Sequence, residues 1–341
     1  MLPLSKIGER GLIRRIERAL GTPRIPSPHR ILTGPGDDAC VVKFSTHAPL
    51  AFTTDTLVEG VHFRPDWMRR FMAENEAWKA IGYKAMAVNL SDLAAMGRSR
   101  PLLALFTLGA RGDISVDTVE NLSRGISKLT RNFGFSVLGG DTIRSDKTIV
   151  SITLVGEILT NNPVLRSGAD FGDILMCSGP LGLSMAGLEI LKMGSRSLTS
   201  GERLLLRRHL YPSPRLKEGS FLGNVDKIST SMLDTSDDLR TSLEILARES
   251  GVGLECDLSR APIHPALSRF CKGRRSSPYS YVLYGGEDYE LLFTVKPARV
   301  GSVLKKIPGS FVLGRAVRSK GVSILKNGLR YDLKDARFKH F

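Results

Sequence analysis

Apolar residues recur along this chain with two different periods, and the points where the period changes divide it into elements. Near the start, Leu12, Ile13, Ile16 and Leu20 share one face at helical spacing. Segments 49–58 (PLAFTTDTLV) and 148–159 (TIVSITLVGEIL) are rich in Val, Ile and Thr and predict strands. Between them a long helical pattern over 75–97 stops at Gly97, with Pro101 beyond. A second, over 115–134, stops at Gly134 before the apolar run FSVLGGDT. The stretch 159–173, with Asn-Asn-Pro and two glycines, reads as loop. A boundary placed there gives an N-terminal domain over 1–160 and a C-terminal domain over 161–341. The second half restarts with a strand, DILMCSG, and a helix, PLGLSMAGLEILKMG. Leu239, Leu243 and Leu246 predict a helix running toward Gly251, capped by Thr235 or Ser236. Segment 280–295 (SYVLYGGEDYELLFTV) reads as two apolar strand-like runs around a glycine pair, and Asn327-Gly328 is a hairpin signal. Helices alternating with strands over 341 residues predict an α/β (α+β-like) chain of two domains.

Composition narrows the class. A hydrophobic share of 42% with 24% charged residues is ordinary for a globular protein, and no window approaches the length of a membrane span. The N-terminal stretch is Arg-rich, but Glu9 and Glu17 interrupt it and no apolar signal core follows. Cys40, Cys177, Cys256 and Cys271 are too scattered for a disulfide framework or a zinc site, which predicts free thiols in a cytoplasmic protein. The formal net charge of +15 raises nucleic acid as a partner. Its Lys and Arg are spread along the chain, however, with only CKGRRSSP (271–278) compact, and aromatics make up 7%. Neither nucleic acid nor membrane is therefore the expected partner.

The acidic residues are the informative minority. Asp37 and Asp38 follow glycines in GPGDDAC, Asp55 lies in TTDTLVEGVHF, Asp92 in NLSDLAAMG, Asp141 in VLGGDT, and Asp234 and Asp237 in MLDTSDDLR. Any one of them could be a turn residue or a cap. Asp92 is hardest to explain that way, because a carboxylate in an apolar helix is costly without a partner. Together, with Thr53, Thr54, Thr56 and Ser236 nearby in sequence, they form the oxygen-rich donor set of a hard divalent cation such as Mg²⁺. No His or Cys clusters with them. Neither G-x-x-x-x-G-K-[ST] nor G-x-G-x-x-G occurs, and no G-x-S-x-G. A nucleotide bound here would be held by metal rather than by a phosphate loop, although GPLGLSMAG (179–187) could form an anion nest or a packing contact.

In this order the motifs GPGDDAC, TTDTLVEGVHF, YKAMAVNLSDLAAMG, VLGGDT, RSGADFGD, RHLYPSPR, DTSDDL and GGEDYELLFT resemble those of the thiamine-monophosphate kinase family, across nearly the whole chain. That family belongs to a superfamily with aminoimidazole ribonucleotide synthetase and selenophosphate synthetase. The resemblance implies a two-domain ATP-binding fold whose N-terminal sheet pairs with its mate in a homodimer. It implies in-line transfer of the γ-phosphoryl group of ATP to thiamine monophosphate, with several Mg²⁺ ions and no covalent nucleophile. The family's metal ligands fall on Asp38, Thr53, Thr54, Asp55, Asp92, Asp141, Asp234 and Asp237. Its nucleotide contacts fall on Gly140, Asp141, Arg166 and Ser236, and its thiamine phosphate contacts on His62, Glu287 and Phe338. Two positions depart: Asp238 stands where the family has Gly, and Phe338 where Tyr is more usual. The first leaves open a degenerate homologue, and the superfamily leaves open another ATP-dependent enzyme with a different substrate. Cys40 directly follows the acidic turn and reads as a small buried residue rather than as the reactive Cys of a selenophosphate synthetase.

Overall fold

The computed structural model describes residues 6, 8–33, 41–45, 47–160, 162–194 and 197–331. Asp38, Cys40 and Phe338 lie outside the described residues. The chain divides into two compact units, Met1–Leu93 with Arg100–Asn161, and Ala94–Ser99 with Asn162–Phe341.

The first unit carries α1 (Gly8–Leu20), β1 (Arg30–Thr33), β2 (Val41–Lys43), β3 (Leu50–Val58), α2 (Pro65–Met68), α3 (Glu74–Ala95), β4 (Ser99–Ala110), α4 (Val116–Phe133), β5 (Ser136–Arg144) and β6 (Ile149–Ile158). Its main sheet runs β3-β6-β4-β5, with β1 and β2 as a separate pair. The edge pair β3/β6 is antiparallel, from Leu50 opposite Glu157 to Val58 opposite Ile149, and β4/β5 is parallel. Helix α3 is apolar nearly all round, so it is buried on most sides, from Ala77 and Trp78 to Leu90 and Leu93. Helix α4 starts where Ser115 accepts from Thr118 N–H at 3.2 Å and ends at Gly134, left-handed at φ 75°. The two helices approach backbone to backbone. A Cβ on Gly82 would stand 1.9 Å from the Leu122 carbonyl oxygen, and one on Gly125 2.0 Å from that of Lys79. Each helix thus supplies the glycine that the other needs.

The second unit carries β7 (Ile174–Cys177), α5 (Leu183–Met193), α6 (Ser200–Leu210), α7 (Leu216–Leu222), β8 (Ser229–Asp234), α8 (Leu239–Ser250), β9 (Gly253–Asp257), α9 (Pro265–Arg274), α10 (Pro278–Tyr284), β10 (Leu291–Val295), α11 (Val300–Lys306), β11 (Phe311–Val317), β12 (Gly321–Lys326) and β13 (Leu329–Arg330). Its seven strands run β13-β12-β9-β11-β7-β10-β8, antiparallel except for β9/β12. Every residue of β10 is buried, which explains its unbroken apolar pattern. Asn327 and Gly328, both at positive φ, turn the β12/β13 hairpin as expected. The first apolar run of 280–295 is not a strand. It is α10, started by Ser277 and Pro278 at its first turn and packed through Tyr281, Val282 and Leu283. The proline sets helical φ and lacks the N–H a first turn would leave unpaired, which outweighs the β-propensity of Tyr and Val.

Candidate functional site

Strand alternation sorts the residues of β3. Phe52, Thr54 and Thr56 face solvent, and Thr53 and Asp55 lie on the other side with buried Leu57. Thr53 Oγ1 donates to Asp92 Oδ2 at 2.5 Å, which ties β3 to α3. Asp55 joins the same group: burial, then the charge of Asp92 and a hydrogen bond to it, push its carboxyl up to about 7. Two carboxyls so close cannot both ionise cheaply without a cation. A hydroxyl and two carboxylates form a donor set suited to a hard divalent ion, so the residues present fit the Mg²⁺ that the sequence implies. The Thr54 hydroxyl is on the opposite face, donating to the Ile152 carbonyl at 3.1 Å and accepting from Thr153. The described side chains therefore bring Thr53, Asp55 and Asp92 together and leave that of Thr54 apart. Among the described residues, no three His, Cys, Asp or Glu side chains converge as a metal cluster.

Gly140 and Asp141 lie on β5, the edge opposite β3. Gly140 is demanded by its neighbour strand: a Cβ there would stand 1.7 Å from the Phe106 carbonyl oxygen. Asp141 is exposed and accepts from Thr142 N–H at 2.8 Å. His62 is not inside a strand. It sits in the turn after β3, its backbone N–H bonded to the Val58 carbonyl and its Nδ1 accepting from Val58 N–H at 3.1 Å.

In the second unit, Asp234 ends β8, buried at 5% exposure, while Ser236 and Asp237 are exposed in the turn before α8. The cap of α8 is neither Thr235 nor Ser236 but Asp238, whose Oδ1 accepts from Thr241 N–H at 2.6 Å. Thr235 is engaged elsewhere, exchanging hydrogen bonds with the Glu290 backbone. Asp238 has φ −67° and ψ 159°, an extended conformation open to any residue, so this turn does not require the family's glycine. Glu287, at φ 61°, bonds through its N–H to the Ser236 carbonyl at 2.8 Å, which sets it beside the acidic turn. Arg166 is exposed, and its carbonyl accepts from Ser250 Oγ at 3.3 Å.

Residue-by-residue reading of the sequence passed over the groups that support this turn. His209, buried on α6, lies 3.4 Å from the Glu287 carboxylate and 3.0 Å from Ser184 Oγ. Asp288 accepts from Gly182 N–H at 2.5 Å and Ser184 N–H at 3.0 Å at the start of α5, and burial raises its carboxyl to about 7. Glu290, almost fully buried, pairs with Arg215 and accepts from Ser178 Oγ at 2.6 Å. The signal lay in RHLYPSPR and GGEDYE, whose polar residues prove to be partners of each other.

The chain is similar to known proteins over most of its length. A family model described as AIR synthase related protein, N-terminal domain, matches residues 36–158. The thiamine-monophosphate kinase of Aquifex aeolicus is 35% identical over 327 residues, 93% of this chain and 98% of that protein. A solved structure of AaThiL complexed with AMPPCP and TMP aligns at TM-score 0.76 and 33% identity, covering 100% of this chain and 99% of its own. The hydrogenase maturation protein HypE in complex with ATP aligns at TM-score 0.73 and 20% identity, covering 97% of this chain and 96% of its own, a likeness of fold alone.

Proposed function

The chain belongs to the thiamine-monophosphate kinase family, and from that premise we propose that it phosphorylates thiamine monophosphate at the expense of ATP, giving thiamine diphosphate and ADP. The observation that carries the reading is the Thr53–Asp92–Asp55 group, where two half-buried acids stand so close that, once both are ionised, a cation between them is favoured. Mg²⁺ bound there would neutralise phosphate charge and align the phosphates for in-line transfer. Thr53, Asp55 and Asp92 are its proposed ligands in the first unit, with Asp38, Asp141 and the backbone of Thr54. Asp234 and Asp237 are those of the second unit. A carboxylate at the end of β8 followed by an exposed Ser236–Asp237 turn places three oxygen-bearing side chains within four residues. Gly140, Ser236 and Arg166 are the proposed nucleotide contacts, Arg166 offering a planar fork of donors to phosphate oxygens. His62, Glu287 and Phe338 are the proposed contacts to thiamine phosphate. Glu287 is held by His209 and by its own N–H, so its carboxylate is oriented before a cationic thiazolium arrives.

Transfer in this reading is direct and in line between the two substrates, with no covalent phospho-enzyme. Two further parts of the reading are a homodimer closed through the N-terminal sheet and a cytoplasmic location. The dimer is supported by the open face of β3, where Phe52 is 69% exposed. Buried free thiols at Cys177, Cys256 and Cys271 support the reducing compartment.

The test is incubation of purified protein with ATP, Mg²⁺ and thiamine monophosphate, with chromatographic detection of thiamine diphosphate. Product that requires all three components is the expected result. Absence of product from protein that is folded and binds ATP would overturn the reading. Asp238→Gly asks whether the departure from the family pattern matters: the geometry predicts turnover within about twofold of the parent, because Asp238 caps a helix in an unstrained conformation.

A further inference from the structure

The acidic turns leave the charge of +15 unaccounted for, and the first unit concentrates part of it in one place. Helices α1 and α4, whose facing residues are more than a hundred positions apart in sequence, pack side by side and leave an open cavity of about 560 Å³ lined by Arg15, Arg18, Arg124, Lys128, Arg131 and Glu120, among others. Residues 124, 128 and 131 follow helical spacing and form one stripe, and residues 15 and 18 form the facing one. Five cations therefore meet a single carboxylate. That carboxylate is already shared, since Glu120 lies 2.8 Å from Arg15 and 2.8 Å from Arg124. Arg18 and Arg131 have no hydrogen-bond or ion-pair partner among the described residues. Lys128 Nζ stands 5.7 Å from the Tyr83 ring centroid, a cation–π contact.

Like charges facing each other across a concave surface repel even when exposed, as Arg18, Arg124, Lys128 and Arg131 are, and an anion relieves them. The volume falls in the range of small-molecule sites. No aromatic ring lines it, so it offers a base nothing to stack on. The rise from Arg124 to Arg131 along α4 is about 10 Å, the reach of a short phosphate chain. Guanidinium groups dominate the lining, and their forked donors match phosphate oxygens in pairs.

We propose that the α1/α4 cavity is an oligophosphate-binding site, separate from the acidic turns, that recognises the phosphate chain itself and not a base attached to it. It binds without a divalent ion, because its own cations provide the countercharge, whereas the acidic turns bind phosphate only through a metal.

Calorimetric titration of the full-length protein with inorganic tripolyphosphate in excess EDTA reads this directly, since chelation silences the metal-dependent turns. One equivalent is expected to bind, with affinity falling steeply as salt is raised. Arg18→Ala/Arg131→Ala should weaken binding at least tenfold while Arg18→Lys/Arg131→Lys keeps most of it. Both variants should retain the parent melting temperature and the parent turnover with ATP, Mg²⁺ and thiamine monophosphate. Equal binding by the parent and the Ala pair would overturn the proposal. So would an oligothymidylate that binds the parent more tightly than tripolyphosphate and loses that binding in the Ala pair, an outcome that makes the groove a nucleic-acid surface. Because the titration is done without metal or thiamine phosphate, its failure and the failure of the kinase reading are distinguishable.

Discussion

Asp55 and Asp92 set a conflict at the scale of single residues that the fold does not resolve by itself. Folding raises the Asp55 carboxyl from 3.8 to about 7, so between those values the folded chain binds a proton that the unfolded chain has lost. The stability contributed is full at low pH and declines as pH rises through about 7. Melting in EDTA should therefore fall in temperature between pH 5 and 8, and Asp55→Asn should flatten that slope. Mg²⁺ should raise the melting temperature of the parent more at pH 8 than at pH 5, and should lose this effect in Asp92→Asn. A parent profile that is flat in EDTA would contradict the paired-acid geometry. Asp92→Asn should also lower kcat at least a hundredfold while remaining folded, because it removes a ligand and leaves core volume unchanged. Asp238 presents the opposite case, an acid that the fold uses without strain. Asp238→Ala should cost about 1 kcal/mol in urea unfolding through the lost cap on Thr241 N–H, and Asp238→Gly only a few tenths.

At the scale of elements, the first unit depends on places where a side chain is forbidden. β5 lies so close to β4 at Gly140 that an added methyl would occupy the Phe106 carbonyl. Gly140→Ala is expected to destabilise by more than about 4 kcal/mol, read as a collapse of the thermal transition rather than as a selective loss of nucleotide affinity. A folded Gly140→Ala protein with only a raised KM for ATP would show that the glycine serves the ligand and not the sheet. Much of the element pattern was legible beforehand. The strand over 148–159, the helix over 115–134 with its terminal glycine, and the Asn-Gly hairpin all rest on local chemistry that tertiary packing leaves intact. Segment 278–284 was misread because aromatic and β-branched residues favour strands in isolation, and a proline-started helix buries the same residues equally well.

At the scale of the whole molecule, the open face of β3 bears on assembly. Phe52 and the hydroxyl ladder of Thr54, Thr153, Thr56 and Ser151 face solvent within one copy. Sedimentation should show a dimer, and Phe52→Asp should shift it to monomer by placing a charge on that face. A parent that sediments as monomer at all concentrations would remove the sheet-pairing part of the functional reading. Charge also acquires meaning at this scale. The sequence offered only one compact basic cluster, at 271–278, yet the cavity between α1 and α4 draws its cations from segments more than a hundred residues apart.

What the sequence determined by itself were properties carried by a few neighbouring residues: the periods, terminal glycines and turns of most elements, and the motifs that carry the family. These survive folding because their causes are local, a missing N–H, a side-chain oxygen within three residues, a repeat of two or 3.6. What only the tertiary structure decided were relations between distant residues and choices between neighbours: that Asp92 meets Thr53 and Asp55, that His209 lies against Glu287, that Asp238 caps α8 in place of Thr235 or Ser236, and that Gly140 is dictated by β4. The reason is physical. A carboxyl's protonation, a glycine's necessity and a cation's countercharge are set by what lies within a few ångströms in space, and in a chain of 341 residues that neighbourhood is chosen by packing.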